Sequence, residues 1–554
     1  MQRLSTIAIV AVFLLSAVCA QASDVVMEKL KTIEAQGLIY NIRDTIDAGS
    51  QDQDAAHAYI FYFNSPIESP VSENMMPIRA VLITNNKLAN PLEAPMNQVY
   101  IYGYGLEDDL NSLSRYKIVS DNFSELAYRY GGNVLLIEHR YYDASVYDGM
   151  WNNLEYLNAT MVAEDYHRIV TILREKLFAP GSKLVFGGVS EGGINASIQA
   201  VKHPEDAELF LAYVAPWCRG LYDERPITYV NEQSFRQPKS DDDESYSIFK
   251  RVMNYFSSTP SLRKEYEKWH KAIYPNKPFD EATYAYHWNE MAIFFAMYVP
   301  RSYINKNFKN SNKGWDDNRW ALNILTTGFL SNSAYADSLA KYPEAAPDEN
   351  TPKSIRRDSE KHDSVTKEVF TTAESFPFYY QAKTETGYYC SLCMDNYYPD
   401  TDLGQQYMAS DKEDLQKYYN LIDEFCPGVK DFTYSDDNYN EVMAGTLNTE
   451  KPLYYFYGAD DFWTGAAIDD QYINGTTSRK WILPYQNHSA CITNAEADTQ
   501  SEIWALIDGV LGMSPSGINN IATPSTTSKT VRKVIHNGRI IIDGKYAITG
   551  QRVK

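Results

Sequence analysis

The stretch Lys183-Leu184-Val185-Phe186-Gly187-Gly188-Val189-Ser190-Glu191-Gly192-Gly193-Ile194 decides the fold. Lys183–Gly188 is short and apolar and runs into glycine, as a buried strand does. Ile194, Ile198 and Val201 then recur at helical spacing. Gly188-Val189-Ser190-Glu191-Gly192 therefore falls as a G-x-S-x-G at a strand-to-helix junction. A serine on so sharp a turn projects its hydroxyl above the sheet, and the flanking glycines let the backbone pass closely. Ser190 is the candidate nucleophile; an incidental serine in a glycine-rich turn is the plainer reading of the same residues.

The surrounding chain agrees with a sheet covered by helices. Asn133–Glu138 is a continuous apolar run, as expected of a strand buried on both faces. Val162, Tyr166, Ile169, Val170, Leu173 and Leu177 mark a helix, and Leu209–Val214 is a further strand. Strand, helix, strand, helix, strand predicts a parallel sheet. Earlier strands are expected at Ala58–Phe63, Ile78–Thr84 and Gln98–Tyr102, and later ones at Leu453–Tyr457 and Lys480–Leu483. The aromatic, helix-patterned sequence between them reads as an insertion. The expected fold is α/β, of the α/β-hydrolase type, with a mainly helical inserted cap and a small C-terminal β tail. The expected divisions are a signal peptide at 1–22, hydrolase core at 58–221 and 446–513, cap at 222–445, linker at 514–528 and tail at 529–554.

A serine hydroxyl needs a base, and in this fold the order along the chain is serine, acid, histidine. Beyond residue 460 the histidines are His488 and His536, and His536 sits in the detached tail. His488 is the candidate base. The acid belongs after the preceding strand, in Gly458-Ala459-Asp460-Asp461-Phe462-Trp463-Thr464, where position leaves Asp460 and Asp461 equivalent. The oxyanion needs two fixed N–H donors. One comes from the residue after the nucleophile, Glu191. The other is placed at Tyr104, in the turn Tyr102-Gly103-Tyr104-Gly105.

Composition bounds the partners. The 554 residues carry a net charge of −21, which repels nucleic acid phosphates. Arg3 followed by the apolar run Ile7–Val18 and the small residues Ala20 and Ala22 has the form of an export signal. No other run is long enough to span a membrane. Cys390 and Cys393 form a C-x-x-C with no second half of a zinc site, so a disulfide or two packed thiols is expected and no metal or cofactor. Asp241–Glu244 reads as a solvated acidic loop. In the tail, Asn537-Gly538 and Asp543-Gly544 are hairpin turn dipeptides. The tail's basic residues oppose the acidic body, which favours an address or anchor over an active domain.

Several of these segments resemble the secreted tripeptidyl aminopeptidase family of serine peptidases, which is related to the Pro-Xaa carboxypeptidases and dipeptidyl peptidases. The resemblance is carried by Ile137-Glu138-His139-Arg140-Tyr141-Tyr142, Asp165-Tyr166-His167-Arg168-Ile169-Val170, Ala212-Tyr213-Val214-Ala215-Pro216, Gly387-Tyr388-Tyr389 and Asp461-Phe462-Trp463-Thr464. It runs discontinuously from about residue 58 to 512 and selects Asp461 as the acid. It implies an exported exopeptidase that removes di- or tripeptides from free N-termini. Glu385, in a matching segment, is the candidate for receiving the substrate ammonium. The chain departs from the family at Glu191, where a lysine is usual. The tail is similar to short C-terminal secretion signals, implying a secreted, periplasmic or outer-surface location and contact with secretion machinery. An esterase or lipase with the same triad, and an inactive binding protein, are the competing functions.

Overall fold

The computed structural model describes residues 25–45, 58–69, 71–85, 88, 90–102, 124–142, 144–147, 150, 153–220, 223–233, 238–247, 264, 267, 301, 375–387, 434–515, 533–536 and 539–542. The signal segment, Tyr104, Cys390, Cys393 and most of the expected cap lie outside these residues.

A nine-stranded sheet organises the chain. Its strands are β1 (Ile39–Thr45), β2 (Ala58–Pro66), β3 (Met75–Ile83), β4 (Met96–Tyr102), β5 (Asn133–Glu138), β6 (Lys183–Val189), β7 (Leu209–Tyr213), β8 (Leu453–Gly458) and β9 (Ser478–Leu483), in the order β1-β2-β3-β5-β4-β6-β7-β8-β9. β1, β2, β3 and β5 pair antiparallel in succession, and every pairing from β5 through β4 to β9 is parallel. This is the α/β-hydrolase sheet with one strand added at its antiparallel edge.

Side-chain alternation divides the core between the two faces. In β8, Leu453, Tyr455 and Tyr457 join one apolar cluster, while Tyr454 and Phe456 join the other. The first cluster is covered by α1 (residues 25–34), α3 (Ala159–Lys176), α4 (Glu191–Lys202) and α7 (Asp437–Leu447). The second is covered by α2 (Glu125–Tyr130) and α8 (Ala497–Leu511). Two shorter helices, α5 (Arg225–Glu232) and α6 (Ser375–Gln381), lie between β7 and α7 in the chain. α3 buries Val162, Tyr166, Ile169, Val170 and Leu173, the apolar stripe expected from the sequence. It starts at Asn158, whose side chain accepts the Met161 N–H.

Several segments that carry the family resemblance have structural work. Arg140 reaches Asp165 of α3 with two hydrogen bonds, at 2.7 and 2.8 Å, and donates to the carbonyls of Pro66, Ile67 and Tyr156. Glu138 takes 2.6 Å from Arg79 and 2.5 Å from the Ser145 hydroxyl. These buried charges are all partnered, as burial demands. Together they tie the end of β5 to α3 and to β2.

The structure departs from the expected outline in three places. β1 was not anticipated, because its polar sequence hides an edge strand. The boundary placed between 445 and 446 falls inside α7, whose Gly445 packs so closely that a Cβ there would lie 2.5 Å from Val201 Cγ1. Asp243, expected on a solvated loop, is half-buried and bonded, as described below. In the tail, β10 (Lys533–His536) and β11 (Arg539–Ile542) pair antiparallel, with His536 opposite Arg539. This matches the expected hairpin around Asn537-Gly538.

Candidate active site

Ser190 sits at the junction of β6 and α4 with φ 59° and ψ −121°. A non-glycine residue at positive φ is strained, and such strain gathers at functional turns. The turn closes because its neighbours lack side chains. A Cβ on Gly188 would lie 2.1 Å from Gly192 O, and one on Gly193 would lie 2.8 Å from Tyr213 O. The Ser190 N–H donates to Tyr213 O at 2.9 Å, which fastens the turn to β7.

The acid and histidine loops are pressed together beyond β8 and β9. A Cβ on Gly458 would lie 2.4 Å from both Gln486 O and Asn487 O. Asp461 opens a 3-10 turn, Phe462–Ala466, where its Oδ1 accepts the Trp463 N–H at 3.1 Å. Its Oδ2 lies 2.7 Å from His488 Nδ1. Asp461 is fully buried and His488 nearly so. A buried carboxylate bonded to Nδ1 sets the imidazole's tautomer and stabilises its cation.

Asp460 faces a different partner. Arg301 grips its two oxygens at 2.5 and 2.6 Å and reaches Asp243 at 2.8 Å. The Arg301 guanidinium also lies 5.2 Å from the Tyr485 ring centroid. Asp243 Oδ1 accepts the Ser245 N–H, and Oδ2 accepts the Lys239 N–H, so this acid also holds its own turn. Arg301 belongs to no motif in the sequence, and no spacing signal links it to Asp460, which lies 159 residues later.

Glu191 follows Ser190 as the first residue of α4, with its side chain buried. Desolvation pushes its carboxyl up to about 8, opposed only by a long hydrogen bond from Tyr142 Oη at 3.4 Å. Glu385 lies in a π-helical turn, Ala382–Thr386. Its Oε2 accepts the Ala159 N–H at 2.8 Å, at the first turn of α3, and burial pushes its carboxyl up to about 7. The expected role of receiving a substrate ammonium gains no support from this placement. Among the described residues, then, the structure joins Asp461 to His488, places Ser190 on the strained turn, and assigns Glu385 a partner at a helix start. Cys218 and Cys491 are buried free thiols.

The sequence model of the serine carboxypeptidase S28 family matches residues 97–415, more than half of the chain and including Ser190. No curated protein matches the chain. Among solved structures, the proline iminopeptidase of Mycobacterium smegmatis is 10% identical at a TM-score of 0.30, covering 81% of this chain and 97% of that one. The peroxisomal alpha-beta-hydrolase of Saccharomyces cerevisiae is 12% identical at a TM-score of 0.32, covering 84% of this chain and 92% of that one. Likenesses this faint add nothing to the strand order, which carries the fold by itself. With that sheet, its G-x-S-x-G turn and the matched segment, the chain belongs to the serine carboxypeptidase S28 family of serine peptidases.

Proposed function

We propose that the protein is an exported serine exopeptidase that releases di- or tripeptides from free N-termini through an acyl-enzyme. The observation that carries the reading is the 2.7 Å bond from Asp461 to His488, on loops following β8 and β9 of the sheet whose β6 ends at the Ser190 turn. Ser190 Oγ attacks the scissile carbonyl, and its proton passes to His488 Nε2. Asp461 stabilises the imidazolium. The same proton then goes to the leaving amine, which departs as the acyl-enzyme forms. Water, deprotonated by His488, attacks the ester, and collapse of the second tetrahedral intermediate returns the proton to Ser190. The Glu191 N–H and, from outside the described residues, the Tyr104 N–H are assigned to the oxyanion. Donors fixed in advance cost no reorganisation when the charge develops.

Export rests on the form of residues 1–22 and on the basic tail. No helix among the described residues is long and apolar enough to cross a membrane. A panel of chromogenic substrates tests the reading: N-terminally free di- and tripeptide anilides, N-blocked and C-terminally free peptides, and short-chain esters. Turnover confined to free N-terminal peptides supports it. Turnover of C-terminally free peptides alone makes the enzyme a carboxypeptidase, and turnover of esters alone makes it an esterase.

A further inference from the structure

The end of α4 remote from Ser190 carries a second group of ligating side chains. α4 runs 12 residues from its N-cap Ser190 to its C-cap His203. At about 1.5 Å per residue the two ends lie about 20 Å apart. There His203 stacks on His167 of α3, with ring centroids 4.2 Å apart and planes inclined by 14°. The short turn Pro204–Asp206 brings Glu205 up to both rings. Glu205 Oε1 lies 3.5 Å from His203 Nδ1 and 3.8 Å from His167 Nδ1. One donor atom from each of His167, His203 and Glu205 lies within 4.8 Å of the other two.

Those separations bring three donors within reach of one ion, and because the two imidazoles stack face to face each ring must turn to aim its in-plane lone pair at it. Tetrahedral ligands at about 2.0–2.1 Å from zinc stand about 3.3 Å apart, so the Glu205 edges need only small closure. The surroundings resemble an outer coordination shell. His203 Nε2 is buried with no aligned hydrogen bond, and its nearest charge is Glu164 Oε1 at 3.3 Å. A carboxylate behind the second nitrogen is how ligating histidines are commonly oriented. Asp206 is fully buried, with Oδ2 held by Gln199 Nε2 at 2.5 Å and Oδ1 set 2.8 Å from His167 Nδ1. Arg174 fixes the turn through the carbonyls of Glu205 and Asp206 and leaves their carboxylates uncommitted to it.

We propose that His167, His203 and Glu205 bind a divalent transition-metal ion, with Glu164 orienting His203 and Asp206 bonded to the His167 ring. Two imidazoles with a carboxylate favour Zn²⁺ over Ca²⁺ or Mg²⁺. The ion clamps α3 to the end of the helix that begins at the nucleophile, so it stabilises the fold and takes no part in the reaction. The expectation of no metal weighed the C-x-x-C and the acidic run Asp241–Glu244, and this set, split between two helices and a turn, has no motif spacing.

The test is thermal unfolding of chelator-treated full-length protein with and without ZnCl₂, MgCl₂ or CaCl₂, together with Co²⁺ absorption spectra. Zinc should raise the Tm of the parent by about 3 °C or more, while magnesium and calcium leave it unchanged. His167→Gln and His203→Gln should each weaken zinc binding more than about tenfold. Glu205→Gln, at an exposed position that folding does not need, should weaken it in the same direction. His488→Gln should keep the full shift. Absence of a zinc shift in the parent overturns the proposal. So does an equal shift in Glu205→Gln and both histidine variants, or a shift abolished by His488→Gln, which would place the ion at the catalytic histidine.

Discussion

Asp461 and His488 meet through a 2.7 Å hydrogen bond from which solvent is excluded. The adjacent carboxylate, Asp460, is committed to Arg301 at 2.5 and 2.6 Å. Two consecutive aspartates thus face different partners, an imidazole and a guanidinium, and the proposed division of roles can be measured.

Asp461→Asn should lower kcat by about 10⁴-fold with little loss of stability, because the amide no longer stabilises the imidazolium or its tautomer. Asp460→Asn should do the reverse. It weakens a buried ion pair, whose disruption costs about 3–5 kcal/mol, eased here because Arg301 keeps Asp243. Denaturant melts beside kcat values check both. A larger kcat loss in Asp460→Asn would exchange the two roles.

Glu191 predicts a pH dependence. Its folded pKa of about 8 lies above its ordinary value of 4.5. Between those values the native state keeps a proton that the unfolded chain releases. The stability it contributes is therefore fully present below about pH 4.5 and is lost as pH rises through about 8, by at most about 1.4 kcal/mol per unit. Glu191→Gln should raise Tm at pH 9 and change it little at pH 5. An equal effect at both values would show that Glu191 ionises normally. The same carboxylate, once charged, sits beside the proposed oxyanion donor. An alkaline fall in kcat/KM near pH 8 should accordingly disappear in Glu191→Gln.

Gly188→Ala should prevent the turn from forming. Its Cβ would meet backbone, Gly192 O at 2.1 Å, with no flexible side chain to move aside. Turnover should drop by at least about 100-fold, since a misplacement of about 1 Å at a reacting group has that cost. Near-normal turnover would mean that the turn is looser than its geometry implies.

Much of this architecture was legible from the chain because local patterns encode it. Asn133–Glu138 could be read as a doubly buried strand, and all six of its residues are buried. The G-x-S-x-G turn was legible because steric rules dictate glycine where the backbone crosses itself. The choice between Asp460 and Asp461 was not contained in position. It depends on Arg301, which arrives from a distant part of the chain. The contact of Glu385 with the start of α3 was not legible for a related reason: its partner, the Ala159 N–H, lies 226 residues earlier in the chain. The cluster of His167, His203 and Glu205 was hidden because His167 lies within a segment that already marked the family, and its partners come from another helix and a turn.

Removing residues 515–554 should leave kcat/KM of purified protein unchanged. The last helix of the sheet domain is complete before that point: Leu511 is buried, and Gly512 closes α8 in the left-handed conformation. Few core contacts cross a Pro/Ser/Thr-rich linker. In the native host the truncated enzyme should remain in the periplasm. A large kinetic loss would show that the tail packs against the hydrolase, and unchanged location in fractionated cells would remove its role in export.

The central claim is that Ser190 is a nucleophile activated by His488. Its most direct test is reaction with a fluorophosphonate followed by intact mass and peptide mapping. The account predicts one adduct per chain, located on Ser190, absent in Ser190→Ala and slowed by at least about 1,000-fold in His488→Gln. No adduct on folded protein, or an adduct on another residue that persists in Ser190→Ala, would contradict it.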